Sequence, residues 1–213
     1  MNSRRLPVYL LLDTSGSMQG EPIASVNVGL RTMMAALRQS PYALESVHIS
    51  IVTFDITIKE VLPLTPLESV NLPEIQCPSS GATMLGAGLE EIVSKVRHEV
   101  KKSTPEAKGD WRPLLFVMTD GKPSDTMAFE EVIPKIKSCH FATIVACAAG
   151  PKSDPSALHK LTDQVVHMDT MDGSTFSSFF QWVTATVNSG SSSMGATTNL
   201  TLPPPPPEVQ IVI

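Results

Sequence analysis

The sequence has no excess of basic residues. Its 16 lysine and arginine residues are outnumbered by 21 aspartate and glutamate residues, which gives a formal net charge of -5. Proteins that bind nucleic acid concentrate positive charge against the phosphates, so nucleic acid is not an expected partner. Hydrophobic residues form 42% of the 213-residue chain and charged residues 17%, which is typical of one globular domain.

Cysteine is scarce and unpaired in its spacing. The chain has three cysteines, Cys77, Cys139 and Cys147, and none forms a Cys-x-x-Cys pair. An odd number without this spacing argues against a disulfide framework and against a zinc site. We therefore expect a protein of the reducing cytoplasm.

Long apolar runs are missing as well. No stretch approaches the roughly 18 apolar residues that span a bilayer. Two arginines lie within residues 1–5, but the apolar stretch behind them is interrupted at Asp13, and no small-residue cleavage site follows. We expect neither a secretion signal nor a membrane span.

The glycine motifs of nucleotide-binding proteins are also absent. No Gly-x-x-x-x-Gly-Lys-Ser/Thr loop occurs, and Gly86-x-Gly88 lacks the third glycine of a dinucleotide fingerprint. The sequence therefore gives no reason to expect bound nucleotide.

What the chain does contain is an alternation of strand and helix patterns. This alternation predicts an α/β fold of the Rossmann-like, doubly wound kind, with a mostly parallel sheet of about six strands, one antiparallel edge strand and helices on both faces. The predicted strands cover residues 8–12, 47–54, 56–62, 114–118, 141–149 and 165–168. One predicted helix begins at Pro22. The other predicted helices cover residues 85–100, 129–136, 156–162 and 175–187.

The C-terminal residues differ in composition from the rest. We place a domain boundary at residue 189, because serine, glycine and threonine dominate from residue 190 and five prolines follow at 203–207. The proline run predicts a stiff polyproline II spacer. The composition of 190–213 favours a mostly disordered tail, whereas the β-prone residues 209–213 could instead add to a sheet edge in this protein or in a partner.

Three separate loops carry oxygen ligands. Asp13, Ser15 and Ser17 leave the end of the first predicted strand, Thr83 precedes a helix, and Asp120 follows the strand at 114–118. Ligands of open α/β sheets bind at the carboxyl ends of the strands, where the strand order reverses. If the first strand and the strand at 114–118 are neighbours, Asp13 and Asp120 lie side by side. The helices that begin near residues 22 and 85 then add positive dipole ends that favour a carboxylate.

Hydroxyl and carboxylate oxygens suit a small hard cation such as Mg2+. In this order and context, Asp13-x-Ser15-x-Ser17, Thr83 and Asp120 resemble the metal-ion-dependent adhesion site (MIDAS) of von Willebrand factor A (VWA) domains, over roughly residues 6–189. The resemblance implies that both serines coordinate Mg2+ or Mn2+ directly and that Thr83 joins when a ligand is engaged. It further implies that the two aspartates act mainly through water, and that one position stays open for an Asp or Glu carboxylate of a protein ligand.

A narrower resemblance concerns the TerY-type bacterial proteins of the tellurium-resistance and stress-response group. It rests on YLLLDTSGSM at 9–18, GEPI at 20–23, ALRQ at 36–39, PYALE at 41–45, KGDWRPL at 108–114 and FVMTDG at 116–121. The resemblance implies a cytoplasmic, metal-dependent scaffold with protein kinase and phosphatase partners. The lack of a secretion signal and of paired cysteines argues against an extracellular matrix ligand.

Two alternatives to a metal-dependent binding module stay open. A phosphoryl-transfer enzyme would use Asp13 as nucleophile, with Thr83 and Asp120 around Mg2+. However, the position two residues after Asp13 is Ser15 and not a second carboxylate, and Lys122 is the one basic residue in the three loops, so we do not expect an enzyme. The second alternative is a structural scaffold that does not use its metal.

Other polar residues near these loops receive a simpler interpretation. Asp55 and Asp125 are predicted to be turn residues and not metal ligands. The five histidines are scattered without metal-binding spacing and are expected to have structural or solvated roles.

Overall fold

Seven strands form one sheet in the computed structural model, which describes residues 4–78, 81–151, 153–192 and 200–212. The strand order is β3-β2-β1-β4-β5-β6-β7. The strands are β1 Leu6–Asp13, β2 Val47–Phe54, β3 Ile58–Pro66, β4 Leu114–Thr119, β5 Thr143–Ala149, β6 Val165–Met168 and β7 Gln210–Val212.

Helices cover both faces of this sheet. They are α1 Glu21–Leu37, α2 Pro41–Ser46, α3 Leu85–Glu99, α4 Thr126–Lys137, α5 Leu158–Leu161 and α6 Gly173–Ser192. Successive side chains of a strand point to opposite faces, and in β1 both faces are buried. Leu10 belongs to the core cluster under α1 and α6, whereas Leu11 belongs to the cluster under α3 and α4.

The topology confirms the predicted doubly wound fold. Strand β1 pairs in parallel with both β2 and β4, and β4 pairs in parallel with β5. Strands β2 and β3 lie on one side of β1, and strands β4 to β7 lie on the other side. The strand order therefore reverses between β1 and β4. The carboxyl ends of β1 and β4 thus flank the crevice in which such folds bind ligands.

Both edges of the sheet are antiparallel. Strand β3 pairs with β2, and it covers Ile58–Pro66 where a strand was expected at 56–62. Prolines are tolerated there because β3 is an edge strand. At the other edge β7 pairs with β6, which makes seven strands where about six were expected.

The described part of the C-terminal segment packs on the domain. Besides the pairing of β7, Trp182 Nε1 donates a hydrogen bond of 2.8 Å to the Pro203 carbonyl, and Val209 is buried. Residues 210–212 add to a sheet edge of this protein, as the β-prone composition of residues 209–213 allowed. Residues 193–199 and 213 of the predicted tail lie outside the described residues.

One short helix, α2, was not expected. Pro41 opens α2 at a position where its missing amide costs no hydrogen bond. Ser40 caps the new helix by accepting a hydrogen bond from the Ala43 amide at 3.4 Å.

The helices differ from membrane-spanning segments in length or in apolar content. In the described ranges, no helix is both long and apolar enough to cross a bilayer.

The packing of α1 against α6 leaves no space at Gly29. A Cβ atom added at Gly29 would overlap the ring of Phe180, which is fully buried in α6. Gly29 is therefore required for the close approach of the two helices, despite the low helix propensity of glycine.

We expect Gly29→Ala to lower the free energy of unfolding by about 1–3 kcal/mol, because Phe180 or the helices must shift. Urea unfolding followed by circular dichroism measures this change. The matched control is Val28→Ala on the exposed side of the same helix, which should stay within about 0.5 kcal/mol of wild type. Equal stability of Gly29→Ala and wild type would show that the helices can separate freely.

Candidate metal centre

The first oxygen-bearing loop begins at Asp13, the last residue of β1, and is shaped by its own hydrogen bonds. Asp13 Oδ1 accepts a hydrogen bond from the Ser15 amide at 2.7 Å. Ser15 is buried and Ser17 is exposed, and their hydroxyl oxygens lie 3.3 Å apart. Met18, in the turn that follows, packs in the core. The two serine hydroxyls are therefore presented side by side at the end of β1.

The third loop is joined to the first by Thr119, the last residue of β4. Thr119 Oγ1 donates a hydrogen bond to Asp13 Oδ2 at 2.6 Å and accepts one from the Gly121 amide at 3.2 Å. Asp120, between these two residues, lies close enough for its charge to act on Asp13. As expected for neighbouring strands, the two aspartates share one edge of the sheet.

The second loop contacts the third through a pair of reciprocal hydrogen bonds. The Thr83 amide donates to Ser124 Oγ at 3.1 Å, and the Thr83 carbonyl accepts from the Ser124 amide at 2.8 Å. A Cβ atom at Gly121 would lie 3.3 Å from Thr83 Oγ1, so the threonine hydroxyl faces this glycine directly. The structure thus brings all three loops together. Ser80, three residues before Thr83 in the second loop, lies outside the described residues.

Asp125 is more than a turn residue. Its carboxylate oxygens accept hydrogen bonds from the Gly86 amide at 3.0 Å and the Ala87 amide at 2.8 Å, in the first turn of α3. A residue of the third loop therefore caps the helix that follows the second loop. The N termini of α1 and α3 were both expected to favour the carboxylate of a ligand. The N terminus of α3 already binds a carboxylate of this chain, that of Asp125.

Asp55 joins the first loop to the second. Its Oδ2 accepts a hydrogen bond from Thr14 Oγ1 at 2.9 Å, and its Oδ1 accepts one from the Thr57 amide at 2.9 Å. The Asp55 carbonyl accepts a further bond from the Met84 amide at 3.2 Å. Asp55 and Asp125 therefore position the loops. A sequence pattern could not assign these contacts, because every partner except Thr57 lies far away along the chain.

The donor set fits a hard cation. Asp120 Oδ1 is buried and has no hydrogen-bond partner in the described structure, which is costly for a carboxylate oxygen unless another group compensates it. Among the residues the structure describes, no three His, Cys, Asp or Glu side chains cluster as a metal site by themselves. A cation here would therefore depend on the hydroxyls of Ser15, Ser17 and Thr83, which is the chemistry that Mg2+ accepts.

The electrostatics of the site also favour a cation. Burial raises the pKa of Asp13 to about 6, against the opposing effect of the hydrogen bonds from Thr119 and Ser15, and the charge of Asp120 raises it further. The buried carboxylate of Asp13 and the half-buried carboxylate of Asp120 repel each other. A positive ion between them would remove this repulsion.

Comparison with known proteins assigns the part of the chain that contains strands β1 to β6 to one family. The model of the von Willebrand factor type A domain matches residues 8–182. No curated protein matches the chain.

Solved structures share the fold at low sequence identity. Proximal thread matrix protein 1 of the mussel byssus, solved with a zinc-occupied MIDAS motif, has a TM-score of 0.62 and 16% identity over 87% of this chain and 48% of its own. BatB of Bacteroides thetaiotaomicron has a TM-score of 0.54 and 15% identity over 90% of this chain and 100% of its own. The pilus adhesin SpaC of Lactobacillus rhamnosus GG has a TM-score of 0.65 and 12% identity over 89% of this chain and 31% of its own. The chain spans about half the length of the mussel protein.

The raised pKa of Asp13 predicts a pH-dependent stability in the absence of metal. An unfolded aspartate titrates near pH 4, so between about pH 4 and 6 the folded protein holds a proton that the unfolded chain has lost. The contribution of Asp13 to folding is therefore full below about pH 4 and is lost as the pH rises through 6. Relative to wild type in EDTA, Asp13→Asn should gain stability on the order of 3 kcal/mol across this window.

Urea unfolding at a series of pH values measures this difference. Ser17→Ala is the matched control, since it removes a site oxygen without removing a titrating group. Its difference from wild type should stay constant with pH. A constant difference for Asp13→Asn as well would contradict the assigned pKa.

Proposed function

Because the chain belongs to the von Willebrand factor type A family, we propose that it is a metal-dependent protein-binding module whose ligand site is the crevice at the ends of β1 and β4. The observation that carries this proposal is the unpartnered, buried Asp120 Oδ1 beside the hydroxyl-rich loops. A carboxylate oxygen in that position has a physical reason to exist if a cation compensates it.

The proposed metal is Mg2+ or Mn2+. Ser15 and Ser17 would hold it directly, Thr83 would join when a partner is engaged, and Asp13 and Asp120 would act mainly through bound water. When bound, the ion supplies an electrophilic centre that an Asp or Glu carboxylate of a protein partner can complete. The hydrogen bond from Thr119 holds the Asp13 carboxylate toward the same crevice.

The chain's own contacts support a site that is arranged before a partner arrives. Asp55 joins the first two loops, and Asp125 joins the third loop to α3. Loops held in this way lose little conformational freedom when a ligand binds, so more of the interaction energy contributes to affinity.

We further propose that the module is a cytoplasmic scaffold or adaptor of the TerY type, in a tellurium-resistance or stress-response complex with kinase and phosphatase partners. Its support is the resemblance of residues 9–23, 36–45 and 108–121 and the absence of paired cysteines from the sequence. The VWA domain would extend over residues 1–189, with residues 190–213 as a C-terminal extension that completes α6 and adds β7 to the sheet.

We propose binding and not catalysis as the role of the site. Phosphoryl transfer would need a cationic group beside the proposed nucleophile Asp13. Lys122, the basic residue in the three loops, forms an ion pair with Asp154 at 2.7 Å. This pairing favours the binding module over the phosphoryl-transfer alternative. The other alternative, a scaffold that does not use its metal, is tested by the effect of Mg2+ on stability.

Asp120→Asn should separate stability from metal binding. In EDTA the variant should be at least as stable as wild type, because the repulsion of Asp13 is removed. Wild type should gain about 2.7 kcal/mol of stability when Mg2+ reaches 100 times its dissociation constant, and the variant should lose most of this gain. Thermal unfolding with and without Mg2+ measures both effects.

The matched control for this substitution is Asp163→Asn, which removes the same charge from an exposed position. It should keep the Mg2+-dependent gain of wild type. An equal gain in all three proteins would mean that the ion binds elsewhere, and no gain in wild type would favour the scaffold that does not use its metal.

Partner engagement and metal binding should strengthen each other by the same factor, since the two equilibria are linked. Calorimetric titration of Mg2+ into the free protein and into the partner complex measures this factor. Thr83→Ala should weaken metal binding more in the complex than in the free protein. An equal loss in both states would reject the proposed role of Thr83.

The partner is identified by affinity capture from a lysate of the source organism. Wild type in Mg2+ is compared with wild type in EDTA, with Thr83→Ala in Mg2+, and with Thr32→Ala, an exposed threonine of α1 that serves as control. We expect wild type and Thr32→Ala to retain the partner in Mg2+. Wild type in EDTA and Thr83→Ala in Mg2+ should not retain it. Identical retention under all conditions would exclude metal-dependent recognition.

A further inference from the structure

A cavity lies at the opposite end of the sheet from the candidate metal centre. Its volume is about 510 Å³, and it lies between the C-terminal end of α3, the loop at 101–103, the segment 110–113 before β4, and the segment 138–140 after α4. These segments adjoin the amino end of β4, whereas the candidate metal centre lies beyond its carboxyl end.

This cavity is strongly cationic in a chain of net negative charge. Four of the 16 lysine and arginine residues line it, namely Arg97, Lys101, Lys102 and Arg112. In the described part of the chain, Arg97, Lys101 and Lys102 form no ion pair. Arg112 donates hydrogen bonds to the carbonyls of His140 at 2.9 Å and Phe141 at 2.6 Å. These bonds hold its guanidinium group in the cavity wall.

The single carboxylate in the cavity wall does not offset these charges. Asp110 is the only acidic residue among the lining residues, and its side chain is 4% exposed. One of its oxygens accepts a hydrogen bond from Arg5 Nε at 2.9 Å, and the other pairs with the Arg5 guanidinium at 2.5 Å. The negative charge of Asp110 is therefore matched by Arg5 outside the cavity lining.

The loop that carries Lys101 and Lys102 has a fixed shape. The Asp110 amide donates to the Lys101 carbonyl at 2.9 Å, and the Lys101 amide donates to Asp110 Oδ2 at 2.8 Å. A Cβ atom at Gly109 would overlap the backbone of residues 101–103, so the two sides of the loop touch. Arg4 holds the same loop by donating to the Gly109 carbonyl at 2.6 Å.

A concave site lined by several cationic side chains is complementary to a ligand that carries its negative charge on one small group. Three cations without ion pairs exceed what a single carboxylate needs, whereas a phosphoryl group at neutral pH carries between one and two negative charges and three acceptor oxygens. The cavity is also enclosed by Trp111 and Pro113, which gives the body of a peptide an apolar surface to contact. A loop that is already ordered avoids the entropic cost of forming the site.

From these observations we propose that this cavity is a second binding site, which takes a phosphorylated peptide segment of a protein partner. The site is independent of the metal. A chain with the metal centre at one end of its sheet and the phosphopeptide site at the other would connect two proteins.

The test uses the full chain and a fluorescein-labelled peptide with one phosphoserine among glycine and alanine residues. Fluorescence anisotropy at about 50 mM NaCl, where charge interactions are weakly screened, measures its affinity. The phosphopeptide should bind at least about tenfold more tightly than the same peptide with serine, and inorganic phosphate should displace it. Binding should be unchanged in EDTA and in Thr83→Ala, which separates this site from the metal centre.

Lys101→Ser/Lys102→Ser should weaken phosphopeptide binding by about tenfold or more, because two of the cations are removed. No hydrogen bond or ion pair of either side chain is found in the described structure, so the double variant should keep the melting temperature of wild type. Arg31→Ser/Lys59→Ser is the matched control, since it removes the same charge from exposed positions outside the cavity.

Three results would overturn the proposal. The first is equal affinity for the phosphoserine and serine peptides. The second is equal weakening by the two double variants, which would show a nonspecific charge effect. The third is tighter binding of a single-stranded RNA of matched charge, which would assign the cavity to nucleic acid.

Discussion

The parallel pairing of β1 with β4 is the constraint on which the candidate metal centre depends. Residues 8–12 pair in register with residues 114–118, so Asp13 and Thr119 leave the sheet at one edge although they are 106 positions apart in the chain. The hydrogen bond between them then sets the orientation of the Asp13 carboxylate. The second loop joins this pair through Ser124 and Asp125, so its position follows from the same central pairing.

The site combines rigid support with unfavourable electrostatics. Asp55 and Asp125 hold the loops with hydrogen bonds that are fully made within the protein. Asp13 and Asp120, in contrast, bring two carboxylates together, with Asp13 buried and Asp120 half-buried, and the buried Oδ1 of Asp120 has no partner among the described residues. Functional sites commonly lower the stability of a fold in this way, because groups arranged for a ligand are imperfectly satisfied without it. The supporting hydrogen bonds keep the loops in place despite this cost.

The sheet separates two chemically different ends. Hydroxyl and carboxylate oxygens cluster beyond the carboxyl ends of β1 and β4, whereas four cationic side chains surround the cavity at the opposite end. Strand β1 has eight residues, which at about 3.3 Å per residue separates the two ends by about 25 Å. Under the two proposals above, partners of different chemistry would bind one chain without contact between them.

The sequence by itself was sufficient for features encoded in local patterns. Strands β2 and β6 have the predicted bounds, and the main helices follow from apolar spacing, because period and capping act over a few residues. The five site residues could be proposed from the sequence because Asp13, Ser15 and Ser17 form one short motif and because Thr83 and Asp120 stand at the ends of predicted elements. Tertiary structure alone decided the pairing of β7 with β6, the roles of Thr119, Asp55 and Asp125, and the convergence of Arg97 with Lys101, Lys102 and Arg112. Each of these depends on contacts between distant parts of the chain, which a local pattern does not encode.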